Sequence, residues 1–142
     1  MPAVKKTKLM EFFWKIHPWL YEKSGGRIGG SAFGMPVLVL MTRGRKSGLL
    51  RKNTLMYVTE GDACVVIASN AGEPNHPAWY HNLKANPKVQ ILQGSKLTDV
   101  VARDAEGEER TALWKKIVET ESGYAEYERR TSRKIPVVIL EP

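Results

Sequence analysis

The chain has 142 residues, 42% of them hydrophobic, with 22 Lys and Arg against 15 Asp and Glu, a net charge of +7 and one cysteine. This length and apolar content fit a single folded domain and exclude a disordered tail, and the lone Cys64 excludes the disulfide-rich secreted class. No apolar run approaches the roughly 20 residues of a membrane-spanning helix, and residues 1–8 precede no signal-peptide core, so we expect a cytoplasmic protein.

The positive charge is concentrated in the first third of the chain. Residues 1–52 carry 11 Lys and Arg and 2 Asp and Glu, whereas residues 53–142 carry 11 and 13. The first third is therefore expected to face an anion. The candidates are nucleic acid, acidic lipid, and a cofactor that carries phosphate and carboxylates.

Residues 1–34 are predicted to form an amphipathic helix, interrupted at Pro18, and a glycine-rich connection. The aromatic and lysine side chains of residues 5–21 are typical of a helix on an anionic membrane, at the inner face of the plasma membrane. An alternative of equal weight is that the apolar face of this helix covers the domain formed by residues 35–142.

From residue 35 onward the pattern predicts about six mainly antiparallel strands, at 37–42, 51–59, 63–69, 89–92, 97–103 and 135–140. A short helix is predicted to begin at Pro77, capped by Asn75 or His76, and to end at Asn86. A second helix precedes Gly123, and Pro136 predicts that the last strand lies at a sheet edge or begins there. Hairpin pairs with surrounding helices indicate an α+β fold, best described as a small, partly opened barrel.

The turn between the first two strands is strongly basic. In the segment Arg43-Gly44-Arg45-Lys46-Ser47-Gly48, two glycines frame three donors, and strand alternation brings Arg51 and Asn53 up on one side. This arrangement suits a phosphate but is not a Walker loop. The alternative is a solvated basic hairpin tip.

The segment 75–82 combines a helix start with flat side chains. Free N–H groups favour an anion, and Trp79 and Tyr80 could lie against a ring system, although core packing is the alternative for both. His76 and His81 lack a third ligand at metal-binding spacing, so no metal site is predicted. Tyr124 and Tyr127 lie three residues apart, which could place both hydroxyls at a pocket or make both packing residues.

From about Gly34 to Pro142, the sequence resembles the deazaflavin-dependent nitroreductase family of mycobacteria and related actinobacteria. The resemblance depends on the basic turn 42–48, on Arg51-Lys52-Asn53, on Ala68-Ser69, on the segment 77–87 and on residues 135–138. It implies a split β-barrel of the flavin-reductase and pyridoxamine-oxidase type. It also implies reduced coenzyme F420, a flat ring with a polyanionic tail, as the cofactor in preference to FMN.

The activity implied by the resemblance is hydride transfer from the deazaflavin to a quinone, an activated enone or a nitro compound. The family's cofactor-binding positions correspond to Arg45, Lys46, Ser47, Arg51, Lys52, Asn53, Met56, Ile67, Ala68, Ser69, Asn70, Ala78, Trp79, Tyr80, His81, Asn82 and Tyr124. Its substrate positions correspond to Met56, Glu121, Tyr124 and Tyr127, and its catalytic groups to Tyr124, Ser69 and Tyr127.

This sequence departs from the drug-activating nitroreductase at two substrate positions, since Met56 and Glu121 stand where that enzyme has tyrosines. We therefore do not expect activity on bulky nitroimidazoles. The alternatives are a basic nucleic-acid-binding module and a non-catalytic carrier of F420 or FMN.

Overall fold

The computed structural model describes residues 17–26, 31–32 and 35–142. Its strands are β1 (Ser31–Ala32), β2 (Met35–Arg43), β3 (Leu50–Met56), β4 (Val58–Glu60), β5 (Ala63–Ile67), β6 (Lys88–Gln93), β7 (Lys96–Asp104) and β8 (Val137–Glu141). Its helices are α1 (17–24), α2 (Ala78–Ala85), α3 (Gly107–Thr120) and α4 (Gly123–Arg130), with a 3₁₀ turn at Asn70–Gly72.

The strands form one antiparallel sheet in the order β3-β2-β6-β7-β8-β5-β4, with β1 paired to the start of β2. The two ends of this order, β3 and β4, are consecutive in the chain and are separated by Tyr57 alone. A sheet whose opposite edges are joined in this way must curl into a barrel. The predicted α+β split barrel is therefore confirmed.

The structure divides the strand predicted at 51–59 into two. The Tyr57 N–H still donates to the Pro36 carbonyl at 3.1 Å, on the β2 side, whereas Val58 already pairs with Val65 of β5. The chain crosses from one sheet edge to the other at this corner without a glycine or proline. With this division and the short β1, the described residues contain eight strands rather than about six.

Two predicted boundaries differ for identifiable reasons. The N-cap residue of α2 is Pro77, so the predicted caps are wrong: the Asn75 carbonyl accepts a hydrogen bond from the Asn70 side chain, and the His76 ring contacts Arg133. The last strand begins directly after Pro136, which confirms the predicted strand start, and it lies between β7 and β5, so the alternative of an edge strand is wrong.

Alternating residues of β5 face two different apolar clusters. Val66 and Ala68 belong to the barrel interior, with Trp79 of α2, whereas Val65 and Ile67 pack with α3 and α4. This separation follows from the two-residue periodicity of a strand. Residues that are adjacent at the end of β5 therefore lead to opposite sides of the barrel wall.

The described part of α1 packs on the barrel. Tyr21 is 1% exposed; its hydroxyl donates to the Val37 carbonyl at 3.0 Å and accepts from the Gly94 N–H at 2.6 Å. Trp19 is 59% exposed. Residues 17–26 thus cover the barrel, while most of the segment predicted to meet a membrane lies outside the described residues. In the described part of the chain, no helix has the length and hydrophobicity needed to cross a membrane.

We expect Tyr21→Phe to lower the free energy of unfolding by about 1–3 kcal/mol, because it removes the partner of a buried N–H and of a buried carbonyl. Chemical denaturation of this variant beside Trp19→Phe, at an exposed position of the same helix, measures the effect. Equal stability of the two variants would show that the buried hydroxyl does not hold α1 on the barrel.

Candidate functional site

The basic turn joins β2 to β3 and is held by its own backbone. The Gly44 N–H donates to the Leu49 carbonyl and the Gly48 N–H to the Gly44 carbonyl, each at 2.8 Å. A Cβ on Gly44 would lie 2.5 Å from the Ser47 hydroxyl oxygen, so any other residue at this position would force the Ser47 side chain to move. The turn thus has a fixed backbone, while the side chains of Arg45, Lys46 and Ser47 are exposed.

Asn82 of α2 connects this helix to the basic turn. It is 5% exposed; its Oδ1 accepts from the Arg45 N–H at 3.0 Å, and its Nδ2 donates to the Thr42 hydroxyl at 3.2 Å. The structure therefore brings Asn82 to the predicted site, where its side chain positions the turn.

Alternation along β3 divides the predicted ligand-binding residues between two faces. Arg51 and Asn53 pair with Thr42 and Leu40, on the face that carries α2. Lys52 is on the other face, where its ammonium group lies 2.8 Å from the Glu22 carboxylate of α1. The structure therefore brings Arg51 and Asn53 to the basic turn and directs Lys52 away from it.

Met56 shares the alternation of Lys52 on β3. It packs against the apolar clusters that contain Tyr21 and Tyr124. Its side chain therefore lies with the predicted substrate residues and away from the basic turn.

A cavity of about 310 Å³ lies between β3 and the start of α2. Its lining residues are Asn53, Thr54, Leu55, Asn70, His76, Pro77, Ala78 and Trp79. Its volume is at the lower end of the range for small-molecule sites, and its lining combines polar groups with an indole. Four predicted cofactor positions are among these residues: Asn53, Asn70, Ala78 and Trp79.

The aromatic residues of α2 are buried to similar extents but differ in their contacts. Trp79 lines the cavity, whereas the Tyr80 hydroxyl donates to the Asp104 carboxylate at 2.9 Å. Burial, together with this carboxylate, raises the pKa of Tyr80 to about 12. The His81 ring lies edge-on to the rings of His76 and Tyr80.

Between β5 and α2, the segment 68–76 has an unusual backbone. Asn70 and Ala71 have φ of +49° and +56°, a conformation that costs roughly 1–3 kcal/mol for a residue other than glycine. The turn is packed directly on α4, since a Cβ on Gly72 would lie 2.9 Å from the Arg130 side chain. Contacts from the rest of the barrel must therefore hold this segment in place.

Arg133, which was not predicted from the sequence, supplies many of these contacts. Its guanidinium donates to the carbonyls of Ala68, Ser69 and Glu73 at 3.2, 2.8 and 3.1 Å, and its Nη1 lies 2.9 Å from His76 Nδ1. No motif surrounds Arg133 in the sequence, and a single arginine after a helix carries no local signal.

The predicted substrate and catalytic residues gather on the α4 side of this segment. Tyr124 and Tyr127 are 4% and 9% exposed, with ring centroids 6.0 Å apart. The buried Glu121 accepts from the Gly123 N–H at 3.1 Å. Burial, with smaller effects from Tyr127 and Glu121, raises the pKa of Tyr124, so its hydroxyl keeps its proton at neutral pH.

The segment 68–72 thus separates two groups of predicted residues. Asn70 lines the cavity on the α2 side. Ile67 packs on the α4 side, in the apolar cluster that contains Tyr124 and Tyr127 and is called the tyrosine cluster below. Ser69, 8% exposed, lies between them. The predicted residues therefore form two neighbouring groups that meet at Ser69.

The cations of the basic turn have no acidic partner in the part of the chain that the structure describes. No carboxylate of those residues lies within 4 Å of Arg45, Lys46 or Arg51, although seven other such ion pairs are present there. Unpaired, exposed cations beside a cavity favour an anionic ligand. Within the same residues, no cluster of three or more His, Cys, Asp or Glu side chains could hold a metal ion.

The family model and the curated relatives that match this chain carry the same description. Residues 13–142 match the model of the F420H(2)-dependent quinone reductase family. An F420H(2)-dependent quinone reductase of Mycobacterium tuberculosis is 41% identical over 130 residues, which cover 89% of this chain and 87% of the relative.

Solved structures agree with this assignment. An F420-H2 dependent reductase (FDR-A) is 47% identical and superposes with a TM-score of 0.68 over 75% of this chain and 94% of its own. At the level of the fold alone, a structure assigned to the pyridoxamine 5′-phosphate oxidases of Listeria innocua superposes with a TM-score of 0.53 at 14% identity, over 75% of this chain and 82% of its own. The chain belongs to the F420H(2)-dependent quinone reductase family and is an F420-dependent oxidoreductase.

Proposed function

We propose that the chain binds reduced F420 across the basic turn and the neighbouring cavity and reduces a quinone at the tyrosine cluster. The observation that carries this proposal is the set of exposed cations without an acidic partner among the described residues, next to a cavity lined by Trp79. The proposed contacts to the anionic tail are Arg45, Lys46, Ser47 and Arg51.

The residues present fit the chemistry of this cofactor. A cavity of about 310 Å³ suits a ring system, with Trp79 and Ala78 as apolar lining and Asn53 and Asn70 as polar groups. The start of α2 adds N–H groups and the positive end of a helix dipole, which favour phosphate. An extended tail would then follow the exposed turn.

Bound F420 in its reduced form supplies the hydride, and the protein must position the acceptor and assist proton transfer. Reduction of a quinone adds one hydride and one proton, so negative charge develops on a quinone oxygen. The Tyr124 hydroxyl, which burial keeps protonated, is the proposed hydrogen-bond donor to that oxygen. Ser69, where the two groups of residues meet, is the second proposed donor, and Tyr127, Met56 and Glu121 are the other residues proposed to surround the acceptor.

The adjacent positions 51 and 52 test the cofactor site with matched variants. We expect Arg51→Gln to weaken F420 binding about 10- to 100-fold, the range expected when a charge-assisted hydrogen bond of about 1.5–3 kcal/mol is lost. Lys52→Gln removes the same charge from the opposite face, where it costs only an exposed ion pair of about 0–1 kcal/mol. Fluorescence titration with F420, and separately with FMN, measures both variants.

The salt dependence of binding provides a control, because only Arg51→Gln should flatten it. Equal losses in the two variants would contradict the assignment of the site to the Arg51 face. No binding of F420 by the unmodified chain would exclude the proposed function. Binding of DNA with a steep salt dependence and without competition by F420 would favour the nucleic-acid alternative.

Tyr124→Phe and Ser69→Ala test the acceptor site. We expect each to lower kcat for quinone reduction about 10-fold or more, with little change in F420 affinity, because each removes a donor used as charge develops. Steady-state kinetics with a soluble menaquinone analogue, beside Tyr57→Phe outside the cluster, gives the comparison. Unchanged turnover in both variants would show that neither hydroxyl has this role. If the unmodified chain reduced none of a wide set of acceptors, the alternative of a non-catalytic F420 carrier would be favoured.

A peripheral membrane contact through residues 5–21 remains part of the proposal, since a quinone acceptor can reside in lipid. We expect the chain to float with anionic vesicles, and Lys5, Lys6 and Lys8 changed together to Gln to reduce flotation, because each lysine near an anionic surface contributes about 1 kcal/mol. Lys88, Lys96 and Lys134 changed together to Gln are the matched control, because they remove the same charge from exposed positions outside this segment. Equal flotation of the two variants would contradict this contact.

A further inference from the structure

Arg133 is charged, yet its guanidinium contacts only neutral acceptors. Three of them are the carbonyls of Ala68, Ser69 and Glu73, and the fourth is His76 Nδ1. Among the described residues, no carboxylate lies within 4 Å of it, so the side chain is not explained by an ion pair. Its four hydrogen bonds all go to the segment 68–76, which contributes Asn70 and His76 to the lining of the cavity.

The contact with His76 has a chemical consequence. A guanidinium can only donate, so His76 Nδ1 must accept, and an accepting Nδ1 carries no proton. A neutral imidazole with an unprotonated Nδ1 carries its single proton on Nε2. Since His76 lines the cavity and its Nδ1 is engaged by Arg133, the ring nitrogen left for a ligand is Nε2, an N–H donor.

We propose that Arg133 is a positioning residue that holds His76 as the neutral Nε2–H tautomer and fixes the strained wall of the cavity, so that His76 donates a hydrogen bond to an acceptor atom of the bound F420. The inference rests on the proposed function for the identity of the ligand. The arrangement of Arg133 and His76 is a property of the protein alone.

The surroundings of His76 agree with a neutral ring. Burial, the Arg133 guanidinium and His81 lower the pKa of His76, and Asp104 opposes them. The Tyr80 ring lies 4.8 Å away and the His81 ring 5.6 Å away, centroid to centroid. His76 therefore stays uncharged at neutral pH, and the hydrogen bond from Arg133 selects between its two neutral tautomers.

The backbone provides an independent reason to assign this role to Arg133. Asn70 and Ala71 are both in the left-handed region, and such conformations persist only where surrounding contacts determine them. Arg133 binds the carbonyls just before these residues and the carbonyl just after them. A single planar side chain can satisfy this set because its five N–H groups lie in a fixed geometry, which an ammonium lacks.

The first experiment is ¹⁵N NMR of the histidine rings in the ligand-free chain, with His76→Gln to assign the signal. We expect His76 to be the Nε2–H tautomer and to remain neutral as the pH falls through the ordinary histidine range, near 6.5. An Nδ1–H tautomer, or titration at the ordinary pKa, overturns the proposal. Because this measurement needs no F420, failure of the proposed function leaves its outcome unaffected.

The second experiment compares Arg133→Met with Arg129→Met, an exposed arginine of α4 whose described ion pair is with Glu126. Without Arg133, neutral His76 can exchange tautomers, whereas its protonated form always carries a proton on Nε2. We therefore expect Arg133→Met to bind F420 more weakly at every pH, because the wall of the cavity relaxes. Above the pKa of His76 we expect a further loss of about twofold, which disappears at lower pH, because the two neutral tautomers then share the population. A loss of F420 affinity that is the same at every pH, or no loss relative to Arg129→Met, overturns the proposal. If Arg133→Met does not fold, the NMR measurement on the unmodified chain decides.

Discussion

The architecture depends on one constraint: the strands that form the two ends of the sheet are a single stretch of chain. β3 pairs with β2, and one residue later β4 pairs with β5. Closure of the barrel is therefore local in sequence, at Tyr57, although it joins the two most distant edges of the sheet. Once the barrel is closed at this corner, the inward or outward direction of every side chain on β3 is fixed.

That fixed direction brings together the residues of the proposed cofactor site. Arg51 and Asn53 face α2 and the basic turn, while Lys52 faces α1 and pairs with Glu22. A shift of one residue in the pairing of β2 and β3 would exchange the two sets. The apolar residues Leu38, Leu40 and Leu55 share the alternation of Arg51 and Asn53, so their burial in the interior holds the register that brings the cations to the cavity.

Much of this arrangement was predictable from sequence because its signals are local. Strand alternation predicted that Arg51 and Asn53 share a face, and the glycines of the basic turn marked its tight backbone. The division of residues 51–59 at Tyr57 was not predictable, since a change of pairing partner within an unbroken apolar pattern depends on strands distant in sequence. Arg133 was missed for the same reason, because its acceptors lie about 60 residues away.

The two proposed sites differ in solvent exposure, which suits the binding of a polyanion at one and the stabilisation of a developing oxyanion at the other. A polyanion is best held by exposed cations, because burying Arg45, Lys46 and Arg51 would cost more desolvation than the pairing returns. A hydrogen bond to a developing oxyanion gains strength in an apolar setting, and Tyr124 has such a setting. The strained segment 68–72 allows both environments to exist within one small barrel. Its carbonyls at Ala68 and Ser69 accept hydrogen bonds from Arg133, so the segment keeps backbone partners although it lies between a polar cavity and an apolar cluster.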